Sequence, residues 1–257
     1  MARKIAVSGK GGVGKTTLSS LLARYWARKG FRVLAVDADP DANLGSALGI
    51  DTQGIVPIAQ MEELIHERTG AKPGTVGGFF KMNPRVDDLP ESLGREKDGV
   101  RLLIMGTVKK GGGGCVCPES VLLRALVGHL VLYQKDVVIM DMEAGIEHLG
   151  RATAQGVDNL VIVVEPGRRS IETANKVQEL TKDIGIRQLV AVGSKVKTFS
   201  EEQFLRNSLE TVPLIGIIPY SEEIATADME NRPPSLEDPM IWSAIEEIAR
   251  RLESGKS

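Results

Sequence analysis

The stretch "VSGKGGVGKTTL", from Val7 to Leu18, satisfies two nucleotide-binding patterns at once. Gly9, Gly11 and Gly14 fit G-x-G-x-x-G, the turn that lets a dinucleotide pyrophosphate approach the backbone. Gly9, Gly14, Lys15 and Thr16 fit G-x-x-x-x-G-K-[ST], the P-loop. Both patterns need a strand before the glycines and a helix after them, and the chain supplies each. "KIAVS" (4–8) is a short apolar run, and Leu18, Leu21, Leu22, Tyr25 and Trp26 share one helical face that ends near Gly30. Asp37, closing the next apolar run, even imitates the acidic residue of a dinucleotide site. Lys15 and Thr16 decide the matter. A P-loop cradles phosphates with backbone N–H groups, neutralises the β/γ oxygens with its lysine and offers its hydroxyl to Mg²⁺. A dinucleotide turn has no need of that pair. The predicted phosphate cradle is therefore Gly11, Gly12, Val13, Gly14, Lys15, Thr16 and Thr17.

The rest of the chain repeats the same alternation. Further apolar runs occur at 32–37, 101–106, 136–141, 159–165, 188–194 and 214–219, separated by amphipathic stretches. Their hydrophobicity is continuous rather than alternating, as expected of strands buried on both faces of a parallel sheet. The predicted fold is α/β, a doubly wound and mainly parallel sheet with helices on both faces, in one domain. Ligands are then expected at the carboxyl ends of the strands. The run "DVVIMDMEAG" ends in an acid, as a Walker B strand should. Asp141 is the expected second partner of the Mg²⁺, beside Thr16, with the Gly145 region near the γ-phosphate. The piece from about 51 to 100 is polar and rich in Gly and Pro, which predicts an insertion of helices and loops without a strand. Ile241, Ala244, Ile245, Ile248 and Leu252 recur at helical spacing among charges of both signs, the pattern of a core-packing helix rather than a membrane-surface one.

A formal net charge of -2 argues against a surface that coats nucleic acid. No segment has the length and apolarity of a signal peptide or a membrane span. The expectation is a cytoplasmic protein without nucleic-acid or membrane partners. His66, His129 and His148 are dispersed and read as ordinary polar residues. Cys115 and Cys117 are the only cysteines, one residue apart, and in a reducing compartment suit a ligand or redox role better than a structural disulfide.

Lys10 is not required by a plain P-loop. The whole string "KGGVGKTT" resembles the deviant Walker A family, which includes the nitrogenase iron protein and the arsenite-pump, septum-positioning and plasmid-partition ATPases. The resemblance implies ATP or ADP as nucleotide and a face-to-face homodimer, in which Lys10 reaches the partner's nucleotide. The catalytic set it implies is Lys10, Lys15 and Asp39. "DADPDANL" (37–44) is similar to the family's switch I, so Asp39 corresponds to the carboxylate that positions attacking water, with Asp41 a second candidate and Asp37 a strand-end acid near the metal. At switch II, "DMEAG" has Glu143 where many relatives carry a neutral residue, which leaves that role open. "VGSKV" (192–196) has Ser194 in place of the usual Asn. Lys195 is then expected to stack on the base, with Pro219 and Tyr220 closing the other side.

"KKGGGGCVCPES" carries the cysteine pair on a loop before a helix that Pro118 suits as a first-turn residue. Two thiolates are half of a tetrahedral soft-metal site, and a two-fold axis through the implied dimer would complete it. Together with "DMEAGIEHLGR" and "EPGRRSIETA", this segment makes the chain most similar, within the family, to the nickel-insertion ATPases that mature carbon monoxide dehydrogenase. That resemblance implies an ATP-dependent metallochaperone, with Ni²⁺ or Zn²⁺ on Cys115 and Cys117 and a client metalloenzyme as partner. The alternatives are an iron-sulfur electron-transfer ATPase, whose cysteines come from well-separated segments in the nitrogenase iron protein, and a membrane- or DNA-positioning ATPase, which leaves the cysteines unexplained.

Overall fold

The computed structural model describes residues 3–74, 79–107, 117–133, 136–143, 156–184, 186 and 188–254. The chain begins β1 (Arg3–Gly9), α1 (Lys15–Arg28), β2 (Val33–Ala38) and α2 (Leu44–Leu48), followed by α3 (Glu62–Thr69), α4 (Leu89–Leu93), β3 (Arg95–Lys97) and β4 (Val100–Ile104). It continues with α5 (Pro118–Tyr133), β5 (Val137–Met142), β6 (Asn159–Val164), α6 (Arg168–Ile184) and β7 (Leu189–Val196). The last elements are α7 (Phe199–Ser208), β8 (Leu214–Pro219), α8 (Glu222–Met229) and α9 (Pro239–Ser254).

The strands form one sheet in the order β3-β4-β2-β5-β1-β6-β7-β8, parallel throughout except where β3 meets β4. Each of the seven apolar runs is a strand. Period-two alternation divides their side chains between two cores. Ala6, Leu34, Val36 and Met140 face a layer built from α3, α5, α6 and α7, including Ile65, Leu122, Leu126, Ala174 and Leu205. Ile5, Val7, Ala35 and Ile139 face the layer of α1, α2 and α9, including Leu18, Leu22, Trp26, Leu44, Ile245 and Ile248. The fold is the expected single-domain, doubly wound α/β sheet.

The stretch 51–100 contains α3, α4 and also β3, a strand that composition did not predict. Its three residues, Arg95, Glu96 and Lys97, are all exposed, so no apolar signal marks them. Charged side chains on an edge strand oppose pairing with other chains. The readable signal is the turn: Asp98 and Gly99 both have positive φ, 50° and 78°, as a tight two-residue hairpin needs. At the other end of the chain, α9 buries Ile241, Ile245, Ile248, Ala249 and Leu252 and is a packed element of the core. Among the described residues no helix is long and apolar enough to cross a membrane.

The crossover from β1 to β2 leaves a place between them that β5 fills, while β6 lies on the other side of β1. The winding direction therefore reverses at β1, and the loop after it opens into the crevice at the carboxyl ends of the strands.

Candidate active site

Residues 10–14 link β1 to α1 without regular structure, and the glycines explain the path. Gly9 has φ 148°, and a Cβ there would sit 2.6 Å from the carbonyl oxygen of Val163 on β6. Only glycine lets the chain leave the sheet that closely. Gly14, at φ 99°, is the residue before α1, and its missing Cβ would lie 3.0 Å from the Ser194 Oγ. Gly11 and Gly12 are exposed, Val13 is buried in the α1 layer, and Lys15, only 8% exposed, opens the helix. The first N–H groups of α1 have no partner within the helix and point into the crevice, which makes the loop and helix terminus an anion site.

Register then brings the acids together. Asp141 on β5 is the direct partner of Val7 on one side and of Asp37 on the other. Asp141 is buried, which pushes its carboxyl up to about 6 against the opposing effect of hydrogen bonds from Thr16 and Ser19. The Ser19 Oγ–H donates to Asp141 Oδ1 at 3.2 Å. Asp37 is fully buried and pushed up to about 7, first by desolvation and then by neighbouring Asp141 and Asp39. Its two oxygens accept the N–H of Asp39 (3.2 Å) and the N–H of Leu44 (2.9 Å), so one carboxylate braces both ends of the 38–44 segment. Asp39 is half-buried beside these acids, and its Oδ1 accepts the N–H of Asp41, which is itself exposed. Glu143 follows β5 and is exposed, and its carbonyl accepts the Ser8 Oγ–H at 3.3 Å.

Three buried or half-buried carboxylates with so little cationic compensation suit a divalent cation. Mg²⁺ is held through one or two carboxylates and keeps several waters, and a nearby cation restores the charged form of a carboxyl raised by burial. Thr16 and Asp141 are the residues that would hold it.

At the other rim, Lys195 is exposed, has φ 57° and donates from Nζ to the carbonyl of Gly12 at 2.6 Å. Pro219 pairs with Val196 at the end of β8, and the N–H of Tyr220 donates to the carbonyl of Val196. The cation over the Tyr220 ring is Lys197, 4.4 Å from its centroid, rather than Lys195. Cys117 precedes α5, accepts the Val121 N–H on its carbonyl, is buried, and donates from Sγ to the Ser120 Oγ at 2.9 Å. In a right-handed crossover from β4 to β5, the start of α5 lies at the same carboxyl edge as the phosphate loop. Cys115, Gly145 and His148 lie outside the described residues.

Sequence reasoning missed Ser19, Lys197 and the bracing role of Asp37. Ser19 had a signal, since it follows Thr16 by three residues and so shares its helical face. The other two depend on loop geometry that no local pattern carries.

A phosphate loop between β1 and α1, with an acidic strand end beside it on β5, defines a P-loop nucleoside triphosphatase. The chain belongs to the CobQ/CobB/MinD/ParA nucleotide binding domain family, whose model matches residues 4–234. It is an ATPase of that family, with ATP or ADP and Mg²⁺ as ligands. It is 45% identical over 248 residues to an uncharacterized ATP-binding protein of Methanocaldococcus jannaschii, covering 95% of each chain. It is 47% identical over 228 residues to the carbon monoxide dehydrogenase accessory protein CooC of Rhodospirillum rubrum, covering 88% of this chain and 86% of that one. Among solved structures it resembles the MinC:MinD cell division protein complex of Aquifex aeolicus, with a TM-score of 0.69 at 24% identity over 100% of this chain and 97% of that one.

Proposed function

We propose that the chain is an ATP-dependent metallochaperone of the cytoplasm, a homodimer that binds nickel through paired Cys115 and Cys117 and delivers it to carbon monoxide dehydrogenase. The observation that carries this reading is Cys117 just before α5, at the carboxyl edge that also holds the phosphate loop, with Cys115 two positions earlier in the sequence of a chain 47% identical to a carbon monoxide dehydrogenase accessory protein.

In this mechanism Gly11, Gly12, Val13, Gly14 and Thr17 hold the nucleotide phosphates by their backbone, with Lys15 on the β/γ oxygens. Thr16 and Asp141 would hold Mg²⁺, which would supply charge neutralisation at the phosphates. Asp39 holds the attacking water and takes up its proton. Lys10 crosses to the partner's nucleotide and compensates the charge that develops as the γ-phosphoryl leaves. Pro219 and Lys195 flank the base. Closure of two subunits over two nucleotides brings their cysteine loops together, and four thiolates form a closed soft-metal site that takes Ni²⁺ or Zn²⁺ as cargo. Cys117 must give up its hydrogen bond to Ser120 and lose its proton, because only the thiolate is a ligand. Nucleotide and metal then bias one closed state, so each strengthens binding of the other.

The test is a titration of reduced, metal-free protein with Ni²⁺ under anaerobic conditions, with ATP, ADP or neither, following thiolate charge-transfer absorption and mass by light scattering. The expected result is one metal per dimer, an affinity that depends on nucleotide, and loss of binding in Cys115→Ala and in Cys117→Ala. Binding indifferent to nucleotide would make the site structural. A brown, oxygen-sensitive protein absorbing near 400 nm would favour electron transfer.

A further inference from the structure

Lys195 is committed to the phosphate loop. β7 and β8 pair at Gly193 with Ile217 and again at Val196 with Pro219, so β7 carries one residue more than its neighbour across this gap. Such a bulge re-aims a side chain. Here it places Ser194, which is buried, against Gly14 and turns Lys195 into the left-handed region at φ 57°. A lysine is strained in that conformation where glycine or asparagine is not, and strain of this kind persists only where the surroundings hold it. What holds it is the 2.6 Å hydrogen bond from Nζ to the carbonyl of Gly12, across two strand positions of the sheet.

The consequence follows from the geometry of one peptide. The carbonyl of Gly12 and the N–H of Val13 belong to the same trans peptide plane and point in opposite directions. A donor that fixes the carbonyl also fixes the N–H. The internal bond of that N–H, to the carbonyl of Lys10, is 3.4 Å long and weak, so it does little to orient the plane. Gly12, at φ 79°, has no side chain to restrain it, and nothing lies within 4 Å of where its Cβ would be. Of these two hydrogen bonds on the plane, the one from the ammonium is the shorter.

We infer that Lys195 is a positioning residue for the phosphate cradle: its ammonium pins the Gly12 carbonyl and so aims the Val13 N–H at the phosphates. Stacking on the base is not needed for this role. The inference requires only the ATPase and is independent of the metallochaperone proposal.

The experiment uses the full chain and three variants. Lys195→Gly removes the ammonium and relieves the backbone, Lys195→Asn tolerates the same φ, and Lys195→Arg keeps a donor. Affinities for Mg-ATP and for magnesium tripolyphosphate, which has no base, are measured by calorimetry. Amide exchange over residues 10–15 is followed in protein without nucleotide. Lys195→Gly and Lys195→Asn should weaken both ligands by a similar factor, about 10-fold for one charge-assisted hydrogen bond. They should also speed exchange in the loop, with unchanged or higher thermal stability, and Lys195→Arg should recover most of the loss. ATP weakened with tripolyphosphate and loop exchange unaffected would make Lys195 a base contact and overturn the inference. Unchanged loop exchange alone would also overturn it, even if tripolyphosphate binds the parent protein too weakly to measure.

Discussion

Replacing Gly9 by alanine would place a methyl carbon 2.6 Å from the carbonyl oxygen of Val163 and 3.1 Å from the Cγ2 of Val13. The first contact is with the backbone of a central strand, which is paired to β1 on one side and β7 on the other and cannot retreat freely. An ordinary carbon–oxygen contact would require the two strands to separate by roughly 0.6 Å or the backbone at Gly9 to twist. Overpacking of this kind costs about 1–3 kcal/mol. A non-glycine residue at φ 148° costs on the order of 1–3 kcal/mol more. The expected total is about 2–6 kcal/mol. For a chain of this length each kcal/mol lowers the melting temperature by roughly 2–4 °C, so Gly9→Ala should melt about 4–24 °C below the parent. Because the displacement begins at the first residue of the phosphate loop, ATP affinity should fall about 10-fold or more in the fraction that folds. The control is Gly11→Ala, where nothing lies within 4 Å of the added carbon, and it should melt with the parent. Scanning calorimetry and ATP titration of both variants decide the matter. A Gly9→Ala protein that melts with the parent and binds ATP equally well would refute the close-approach reasoning, as would equal destabilisation by Gly11→Ala.

The remaining predictions probe separate parts of the molecule. Lys10→Ala should retain ATP binding but lose dimerisation and hydrolysis together, as read by light scattering and phosphate release; full hydrolysis by the variant would remove Lys10 from the mechanism. Ser19→Ala deprives buried Asp141 of a hydrogen bond and should weaken Mg-ATP by about 5- to 10-fold with little effect on nucleotide without Mg²⁺. Ile245→Ala, fully buried on α9, should cost about 2–5 kcal/mol, and neither it nor the parent should sediment with anionic vesicles. Burial holds the Lys4 ammonium down to about 8, against the pull of Asp158 and Asp136, while the unfolded chain keeps that proton to its ordinary 10.5. Between those values the unfolded state binds more protons, so this lysine's penalty is present in full below pH 8 and fades as pH rises to 10.5. Lys4→Met should therefore stabilise the protein at pH 7, on the order of 1 kcal/mol after allowing for solvent screening, and the advantage should shrink across that window in denaturant titrations.

How much was legible depended on whether a residue's role is set by its neighbours in sequence. The seven apolar runs announce themselves because strands buried on both faces have no polar face to interrupt them. The phosphate loop is equally local: Gly9, Gly14, Lys15 and Thr16 do their work within eight positions. β3 was hidden because an exposed edge strand has no hydrophobic signature, although Asp98 and Gly99 marked its turn. The bracing carboxylate of Asp37 was hidden for a different reason. Its burial is the result of register, β2 beside β5, and no local pattern states which strands will be neighbours. Lys195 shows the same limit. Its position after Ser194 suggests a base contact, while the bulge that turns its ammonium onto Gly12 exists only once β7 and β8 have paired.

On the proposed function, the strand order gives one nucleotide a route to several distant segments. β5 lies between β1 and β2, so Asp141 touches the helix of the phosphate loop through Thr16 and Ser19 while standing opposite Asp37, which ties down both ends of 38–44. The same strand is preceded by α5, which Cys117 immediately precedes, and is followed at once by Glu143, anchored to the end of β1 through Ser8. A change of charge at the γ-phosphate therefore acts on one short stretch of β5 that borders the loop, the 38–44 segment and the residues after Met142. The cysteine helix packs on the face of the sheet opposite α1, so in the proposed metallochaperone it would feel that change through the sheet and its carboxyl-edge loops rather than by contact with the phosphate helix. Coupling of this kind predicts that Asp37→Asn, which keeps the shape but weakens the two braces at Asp39 and Leu44, should uncouple the sites. Metal titrations should then give similar affinities with ATP and with ADP, while ATP itself still binds. If the nucleotide dependence survives in Asp37→Asn, the 38–44 segment is not part of the route, and coupling must run through the residues after Met142 alone.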